Sequence, residues 1–225
     1  MRIWHISDTH GFEHLLNIPD NIDIIIHSGD CSNNINPYLN ENEVRQFIDW
    51  YKEIPVKHKI YIAGNHDTSI EKRLVTKKDF EDVGIIYLED DVVEIEGLYI
   101  YGNPYVPKYG NWAFMKTPEK LNRYWREVKP IYTDILVTHG PPKGILDKSY
   151  NRNREIDQCG DKNLLNMVKD LKPAYHLFGH IHDVSDLMNA GTCNISGINT
   201  TFSNGTVVTD NKFGTLTSNG NILEI

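Results

Sequence analysis

The chain has 225 residues, enough to bury the core of one domain, and we expect a single domain over residues 1–225. Its composition, 40% hydrophobic and 24% charged, is that of an ordinary globular domain, and the formal net charge of -8 argues against a basic surface for extended nucleic acid or for an anionic membrane. The chain has three widely spaced cysteines, which predict a reducing compartment and no disulfide framework. It has no apolar run near the ~20 residues that cross a bilayer and no leader-like N-terminus, so we expect a cytoplasmic protein.

Short apolar runs rich in Ile, Val and Tyr recur along the chain and predict buried strands. In chain order these runs cover residues 3–6, 22–28, 59–63, 92–95, 98–101, 134–138 and 175–178. The two runs at 92–95 and 98–101 flank Glu96-Gly97, a spacing that predicts a hairpin with a two-residue turn.

Two helices are predicted between the strands. The first has Asn40 as its expected N-cap, with Glu43 as the partner of the cap, and an apolar face at residues 44, 47, 48 and 51. The second starts near Asp161 and ends before Pro173. Alternating strands and helices predict an α/β fold, to which the β-rich region from Thr192 adds antiparallel strands. Residues 196–221 are either strands with polar loops or a loosely held tail, and we treat 211–225 as a C-terminal tail.

Most of these predicted strands end in side chains that can bind metal ions. The clusters are Asp8-Thr9-His10, Gly29-Asp30, Gly64-Asn65-His66-Asp67, His139-Gly140 and Gly179-His180-Ile181-His182. Each cluster alone is weak, because Asp-x-His and Gly-Asp are more often turn residues and a lone His-x-His can lie on the surface without a role. Loops at the carboxyl ends of strands converge on one crevice, so five clusters that each follow their own strand predict a shared metal site.

The remaining histidines and the cysteines receive structural interpretations. We expect His5 and His27, inside strands, to have hydrogen-bond partners, and His14, His58 and His176 to lie at the surface or at an edge. The cysteines Cys31, Cys159 and Cys193 are interpreted as packing residues.

In this order the clusters resemble the motifs of the calcineurin-like metallophosphoesterase superfamily. The segments YGNPYVPKYGNWAF, DILVTHGPPKGILD and NAGTCN are similar to the brain-type metallophosphoesterase-domain-containing proteins and their microbial relatives. The resemblance runs from Met1 to the region of Asp210. It implies a four-layer α/β/β/α sandwich of two mixed β-sheets with a dinuclear metal centre at the strand ends.

The resemblance also implies a role for each residue of the clusters. One metal would be held by Asp8, His10 and His182, the other by Asn65, His139 and His180, and Asp30 would bridge the two. His66 would be the catalytic residue that faces the leaving group, with Asp67 orienting it from behind. Some relatives carry glycine in place of His180, which weakens the second site; this chain keeps the histidine, so both sites are expected to fill. Protein serine/threonine phosphatases of the superfamily carry arginine at the position of Ala63, so a phosphoprotein substrate is not favoured.

The implied cofactor is a pair of divalent ions, for which mixed nitrogen and oxygen ligands favour Mn²⁺, with Fe and Zn as alternatives. The implied function is hydrolysis of small phosphodiesters, cyclic nucleotides first, by attack of a metal-bridging hydroxide. The alternatives are a phosphomonoesterase on nucleotides and a nucleotide-binding or scaffold protein with vestigial activity. The aromatic residues of the loop that contains Tyr105, Tyr109, Trp112 and Phe114 either stack on a base or pack inward. The substrate-binding residues, the native metal pair and the oligomeric state stay open.

Overall fold

The structure, a computed structural model, describes residues 1–127, 132–209 and 215–225; residues 211–214 of the expected C-terminal tail lie outside these ranges. The helices are α1 (Pro37–Glu53), α2 (Thr68–Glu71), α3 (Lys77–Glu81), α4 (Pro118–Glu127) and α5 (Lys162–Leu171), with a single 3-10 turn at Glu13–Leu15. The strands are β1 (Arg2–Ile6), β2 (Ile24–His27), β3 (His58–Tyr61), β4 (Ile85–Tyr87), β5 (Asp91–Ile95), β6 (Leu98–Asn103), β7 (Val106–Pro107), β8 (Met115–Lys116), β9 (Ile135–Thr138), β10 (Lys148–Tyr150), β11 (Ile156–Gln158), β12 (Tyr175–Phe178), β13 (Gly191–Ile195), β14 (Ile198–Asn204) and β15 (Asn221–Glu224).

Two mixed sheets form the centre of the fold. The first has the order β15-β1-β2-β3-β4, with β1 to β4 parallel and β15 antiparallel to β1. The second has the order β13-β14-β12-β9-β6-β5, with four parallel inner strands and an antiparallel strand at each edge. Short ribbons β7–β8 and β10–β11 lie outside the two sheets.

Alternating side chains along the strands divide the apolar residues among three buried clusters, because neighbours on a strand point to opposite faces. Ile3, Ile24 and Ile60 of the first sheet meet Ile100 and Val137 of the second in a layer between the sheets. The opposite face of the first sheet packs against α1, α2 and α3, and that of the second sheet packs against α4 and α5. The layers are therefore helix, sheet, sheet, helix, which confirms the predicted α/β/β/α sandwich.

The predicted hairpin is confirmed, whereas the predicted start of the first helix is wrong. Glu96 and Gly97 both have positive φ (51° and 85°), as a two-residue hairpin turn requires. Helix α1 begins at Pro37, and the Asn36 side chain caps it by accepting from Tyr38 N at 3.0 Å. Proline is favoured at the first helical position, where no N–H is needed. Asn40 instead lies buried inside the helix.

The start of the second predicted helix and the strand content of the C-terminal region agree with the sequence. Asp161 caps α5 by accepting from Asn163 N at 2.8 Å, and Lys172 adopts a left-handed conformation just before Pro173. The described parts of 196–221 and 211–225 contain strand β14, which pairs with β13, and edge strand β15, which pairs with β1. These parts therefore consist of strands and loops and are not a loosely held tail. None of the helices in the described parts of the chain reaches the length and hydropathy of a membrane-spanning helix.

The expected surface position of His176 is wrong. It lies in β12 between the parallel neighbours β9 and β14, and its side chain is fully buried against Phe178 and Phe202. Three of the four side chains of β12 are buried, as expected for a central strand covered on both faces.

Candidate metal centre

The seven predicted metal ligands lie at the carboxyl ends of five parallel strands, three from the first sheet and two from the second. Asp8 and His10 follow β1, Asp30 follows β2, Asn65 follows β3, His139 follows β9, and His180 and His182 follow β12. The two sheets are stacked with these ends on the same side, so loops distant in sequence share one crevice.

The side chains form two groups. The donor atoms of Asp8, His10 and His182 all lie within 4.8 Å of one another, and the same holds for Asp30, His139 and His180. Asn65 belongs with the second group, because its Oδ1 lies 3.0 Å from His139 Nε2. The structure therefore brings the seven residues together at one edge of the sheets, with Asp30 in the second group.

The second group has the electrostatics of a cation site. His139 Nδ1 lies 2.9 Å from the Ser28 carbonyl oxygen, a contact that requires the proton on Nδ1. In the neutral ring the Nε2 lone pair then points at two further acceptors, Asn65 Oδ1 at 3.0 Å and Asp30 Oδ2 at 3.2 Å. Three acceptors that converge without a proton repel one another unless a cation lies between them. This donor set fits a divalent metal ion.

The pKa of His139 is raised by the same neighbouring acceptors. Burial alone would lower this pKa, but the charge and hydrogen bond of Asp30 and the charge of Asp8 outweigh it and raise the pKa to about 9. Without a metal, the extra proton on His139 supplies the positive charge that the carboxylates need.

In the first group Asp8 is fully buried, and its Oδ1 lies 3.1 Å from His182 Nε2. His10 donates from Nδ1 to the Ser32 carbonyl at 2.9 Å, which leaves its Nε2 lone pair available for a metal. Burial lowers the pKa of His10. In the second group, burial likewise lowers the pKa of His180, to about 3. These imidazoles are therefore neutral near pH 7, as metal ligation requires.

The backbone at the ligands is unusual. Asp8, His10, Asp30 and His180 have φ values of 56°, 46°, 61° and 71°, a left-handed conformation that is unfavourable for residues other than glycine. Such strain clusters at functional sites, where the surrounding structure keeps it in place.

Two glycines let the loops approach closely enough to form the crevice. A Cβ on Gly179 would lie 2.1 Å from Asp8 Oδ2, and a Cβ on Gly64 would lie 2.2 Å from Asp30 Oδ1. Any other residue at either position would push a carboxylate of the site away.

His66 lies beside the two groups, but the predicted role of Asp67 is wrong. The His66 ring stacks on Trp112, with ring centroids 4.0 Å apart and an interplanar angle of 27°, and its Nδ1 lies 3.4 Å from the Asn33 carbonyl oxygen. The His66 and His10 rings form a T-shaped pair, with ring centroids 4.8 Å apart. Trp112, not Asp67, is therefore the side chain that packs on the face of the His66 ring.

The Asp67 carboxylate turns away from His66 into the protein. It is fully buried and accepts hydrogen bonds from Gly64 N, Asp30 N and the Tyr61 hydroxyl at 2.7, 3.0 and 2.6 Å, and also from Ser32 and Cys31. Burial raises the pKa of Asp67. Asp67 thus ties the loop after β2 to the loop after β3 and fixes Asp30 through its backbone.

Sequence reasoning missed Asn40. Its amide donates to Ser32 Oγ and to the His66 carbonyl at 2.9 Å each, and its Oδ1 accepts from Ser69 N at 2.9 Å. A signal was present: Asn40 precedes Val44 by four residues and therefore extends the apolar face of α1, where a polar side chain needs a buried partner.

The aromatic loop is divided between the two predicted alternatives. We call residues 106–116 the strap; β7 and β8 close its base. Phe114, and Tyr105 just before the strap, pack inward against the first core cluster, whereas Tyr109 and Trp112 face the crevice.

The crevice opens into a cleft of about 470 Å³, lined by Asp30, Asn65, His66, Pro107, Lys108, Tyr109, Ser149, Cys159, His180, Ile181 and His182. This volume lies within the range of small-molecule sites. The packing role expected for Cys159 is wrong, because its side chain is exposed at the wall of the cleft. Cys31 is buried as expected.

Comparisons with known proteins point in one direction. The family model for the calcineurin-like phosphoesterases matches residues 1–184. A UPF0046 protein of Caenorhabditis elegans is 32% identical over 217 residues, which cover 91% of this chain and 69% of that protein. The human metallophosphoesterase domain-containing protein 1 is 33% identical over 230 residues, covering 92% of this chain and 66% of its own length. The chain thus spans about two thirds of these curated relatives.

Two solved structures share the fold at low sequence identity. One has a TM-score of 0.68 and 15% identity, with coverage of 91% of this chain and 90% of its own. The other, phosphopantetheinyl hydrolase from Mycobacterium tuberculosis, has a TM-score of 0.58 and 14% identity, with coverage of 91% and 88%. At this identity the likeness concerns the fold alone.

Proposed function

The chain belongs to the calcineurin-like phosphoesterase family, and from that premise we propose that it hydrolyses small phosphodiesters on a pair of divalent metal ions. Membership indicates the reaction class, metal-dependent hydrolysis of phosphoester bonds. The diester preference, the pair of ions and the substrate are our proposal.

The observation that carries the proposal is the pair of ligand groups at the bottom of the cleft. Each group gathers carboxylate oxygen and imidazole nitrogen atoms within 4.8 Å, and His139 Nε2 faces both Asn65 Oδ1 and Asp30 Oδ2, an arrangement that needs a proton or a cation between the three atoms. Two such groups side by side suit two ions better than one.

We assign Asp8, His10 and His182 to one ion, and Asn65, His139 and His180 to the other. Asp30 would bridge them, because a carboxylate has two oxygens and a full charge to share. Mixed nitrogen and oxygen ligands favour Mn²⁺, with Fe and Zn as alternatives. When bound, two such ions stabilise the charge on the phosphoryl oxygens and lower the pKa of an attacking water.

His66 is the residue that we propose as general acid. Its Nδ1 is directed to the Asn33 carbonyl, so in the doubly protonated ring Nε2–H is the group that can give a proton to the departing oxygen, which leaves the neutral ring. His66 lines the cleft, and the Trp112 stack limits rotation of the ring. Help of this kind is worth roughly 10²–10⁴-fold in rate.

The cleft supports a small substrate, and cyclic nucleotides (3′,5′ or 2′,3′) are the class that we propose first. The exposed ring of Tyr109 stands at the wall of the cleft, where an aromatic surface can contact a base, and the Lys108 side chain offers a cation. The -8 net charge does not oppose an anionic substrate locally, since bound ions supply positive charge at the site itself.

The test compares bis-p-nitrophenyl phosphate with p-nitrophenyl phosphate, with Mn²⁺ and with EDTA, followed by a panel of cyclic nucleotides. We expect diester turnover that exceeds monoester turnover, disappears with EDTA and returns with Mn²⁺. Faster turnover of the monoester would replace the proposal with a phosphomonoesterase. No turnover from protein shown to hold two ions would indicate a binding or scaffold protein.

A further inference from the structure

We infer that Tyr109 is a positioning residue for the metal ligand Asn65: its hydroxyl holds the Asn65 amide with the oxygen toward the second metal. The inference rests on the proposed function, because it concerns the ion assigned to Asn65, His139 and His180.

Asn65 differs from the six other proposed ligands in having two ends of similar shape and opposite chemistry. Its Oδ1 offers lone pairs to a metal, whereas its Nδ2 offers only N–H donors. A half-turn of the amide would direct an NH₂ group at the cation and remove the ligand. Asn65 is 1% exposed, so bulk water does not solvate the NH₂ group. The protein must therefore supply an acceptor for Nδ2 if Oδ1 is to face the metal.

Tyr109 supplies that acceptor. Asn65 Nδ2 donates to the Tyr109 hydroxyl oxygen at 3.1 Å, while Asn65 Oδ1 faces His139 Nε2 at 3.0 Å. The two ends of the amide are thus directed by different partners. A buried polar group without a partner is strongly unfavourable, so removal of the hydroxyl penalises the metal-binding orientation of Asn65 in particular.

The strap holds Tyr109 in place against the second group. Asn65 is fixed at its backbone too, because its carbonyl accepts from Ala113 N at 2.9 Å on the other side of the strap. The base of the strap is anchored by Phe114 N, which donates to Glu71 Oε1 at 2.7 Å. The Tyr109 ring also contacts the His180 ring, with centroids 5.6 Å apart. Tyr109 therefore touches two of the three side chains assigned to the second ion alone.

The direct test is a calorimetric Mn²⁺ titration of the metal-free full-length chain, with electron paramagnetic resonance as a second readout. Wild type should bind two ions and give the spin-coupled spectrum of a Mn²⁺ pair. Tyr109→Phe keeps the ring on His180 and removes only the hydroxyl. We expect one of the two binding steps to lose about 10–100-fold in affinity, the usual effect of removing a group that orients a ligand, with the other step unchanged.

The matched control is Tyr132→Phe. Tyr132 is 62% exposed, as Tyr109 is, and its hydroxyl also makes a hydrogen bond, to Asp134 Oδ1 at 2.8 Å. Asp134 is not a proposed metal ligand, so both binding steps of Tyr132→Phe should match those of wild type.

Asn65→Asp distinguishes orientation from packing. A carboxylate has two oxygens and needs no partner to choose between them, so adding Tyr109→Phe to the Asn65→Asp background should leave metal affinity unchanged. A loss of the same size in both backgrounds would assign Tyr109 a packing role and overturn the inference. Wild-type affinity of Tyr109→Phe for both ions would overturn it as well. Failure of wild type itself to bind two ions would instead contradict the proposed function.

Discussion

Two sets of histidines in this chain differ in position and chemistry. His5, His27 and His176, which we call the strand histidines, lie inside β1, β2 and β12. Their ring nitrogens meet hydroxyl groups: His5 contacts Ser203 and Ser28, His27 contacts Thr9, and His176 contacts Thr138, all within 3.1 Å. Burial lowers the pKa of each to about 3, so the rings are neutral near pH 7.

By the crevice histidines we mean His10, His139, His180 and His182; His139 is fully buried, as the strand histidines are, and the other three are partly buried. His180 has the same lowered pKa of about 3 as the strand histidines, for the same main reason. The difference lies in the partners, since ring nitrogens in the crevice face carboxylates or one another. A hydroxyl can donate or accept and so completes a neutral ring, whereas a carboxylate can only accept. Partner chemistry therefore separates a structural histidine from a candidate metal ligand.

Removing the shared carboxylate should have the largest effect. Asp30→Asn keeps the shape of the side chain but removes the charge that we assign to both ions. We expect loss of both Mn²⁺ ions and a fall in bis-p-nitrophenyl phosphate turnover of more than about 10³-fold, above the usual loss for one transition-state donor. Metal content by mass spectrometry and turnover measure the two effects.

The control for that charge change is Asp49→Asn, at a carboxylate that is 71% exposed and paired with Lys52 on the surface of α1. It should keep both ions and full turnover. If Asp30→Asn also kept two ions per chain, Asp30 would not be the bridge and the crevice would not be one dinuclear centre.

The next largest effect is expected at His66, which lies in the crevice but outside both ligand groups. His66→Ala should keep two ions and lose roughly 10²–10⁴-fold in kcat, because it removes a proton donor and no ligand. Trp112→Leu should cause a smaller loss in kcat through misorientation of the ring, and Trp112→Phe should restore part of it. Loss of the ions from His66→Ala, with normal activity per remaining ion, would make His66 a ligand and not an acid.

Asp67→Asn separates the two roles considered for Asp67. As a group that orients His66 it would change kcat with little effect on stability. As the acceptor of hydrogen bonds from Gly64, Asp30 and Tyr61, it should lower the unfolding temperature and weaken metal binding together, since an amide leaves donors facing an NH₂ group.

The position of the candidate ligands at one edge of the sheets could be predicted from the sequence, because local order encodes it. A residue just after a parallel strand lies at the ligand-binding edge of the sheet wherever the strand sits, so Asp8, Asp30 and His139 were identifiable without knowing the packing. The four layers followed from strands alternating with helices, together with the family motifs. The predictions that no comparison tests, the roles of the individual site residues, stay predictions.

The errors at Asp67 and His176 concern partners that lie far away in sequence, whereas the error at Asn40 is local. Asp67 was paired with its neighbour His66, but the donors around its carboxylate include Asp30 and Cys31, which only the packing of β2 beside β3 brings there. His176 was placed at an edge because YHLF does not reveal that β9 and β14 flank its strand on both sides. Asn40 was taken for a cap because the Asn-x-x-Glu spacing also fits a helix start, although Asn36-Pro37 fits better.

The smallest expected effect distinguishes the two sets of histidines by pH. In the metal-free chain the strand histidines and His180 have folded pKa values of about 3 against 6.5 for the ordinary group, so the unfolded chain takes up their protons and stability falls as pH drops below 6.5. His139 has the opposite sign: its pKa of about 9 means that its contribution is complete below 6.5 and is lost as pH rises through 9. Metal-free stability should therefore peak near pH 6.5–7.

Two changes should act on opposite limbs of that profile. His176→Gln keeps an N–H donor for Thr138 but does not titrate, so it should flatten the acid limb by up to about 1.4 kcal/mol per pH unit and leave the alkaline limb alone. Saturating Mn²⁺ should remove the alkaline limb, because the ion takes the place of the proton on His139. Urea unfolding at pH 5, 7 and 9, with and without Mn²⁺, measures both limbs. If Mn²⁺ left the alkaline limb unchanged, His139 would not hold the ion, and the distinction between the two sets would fail.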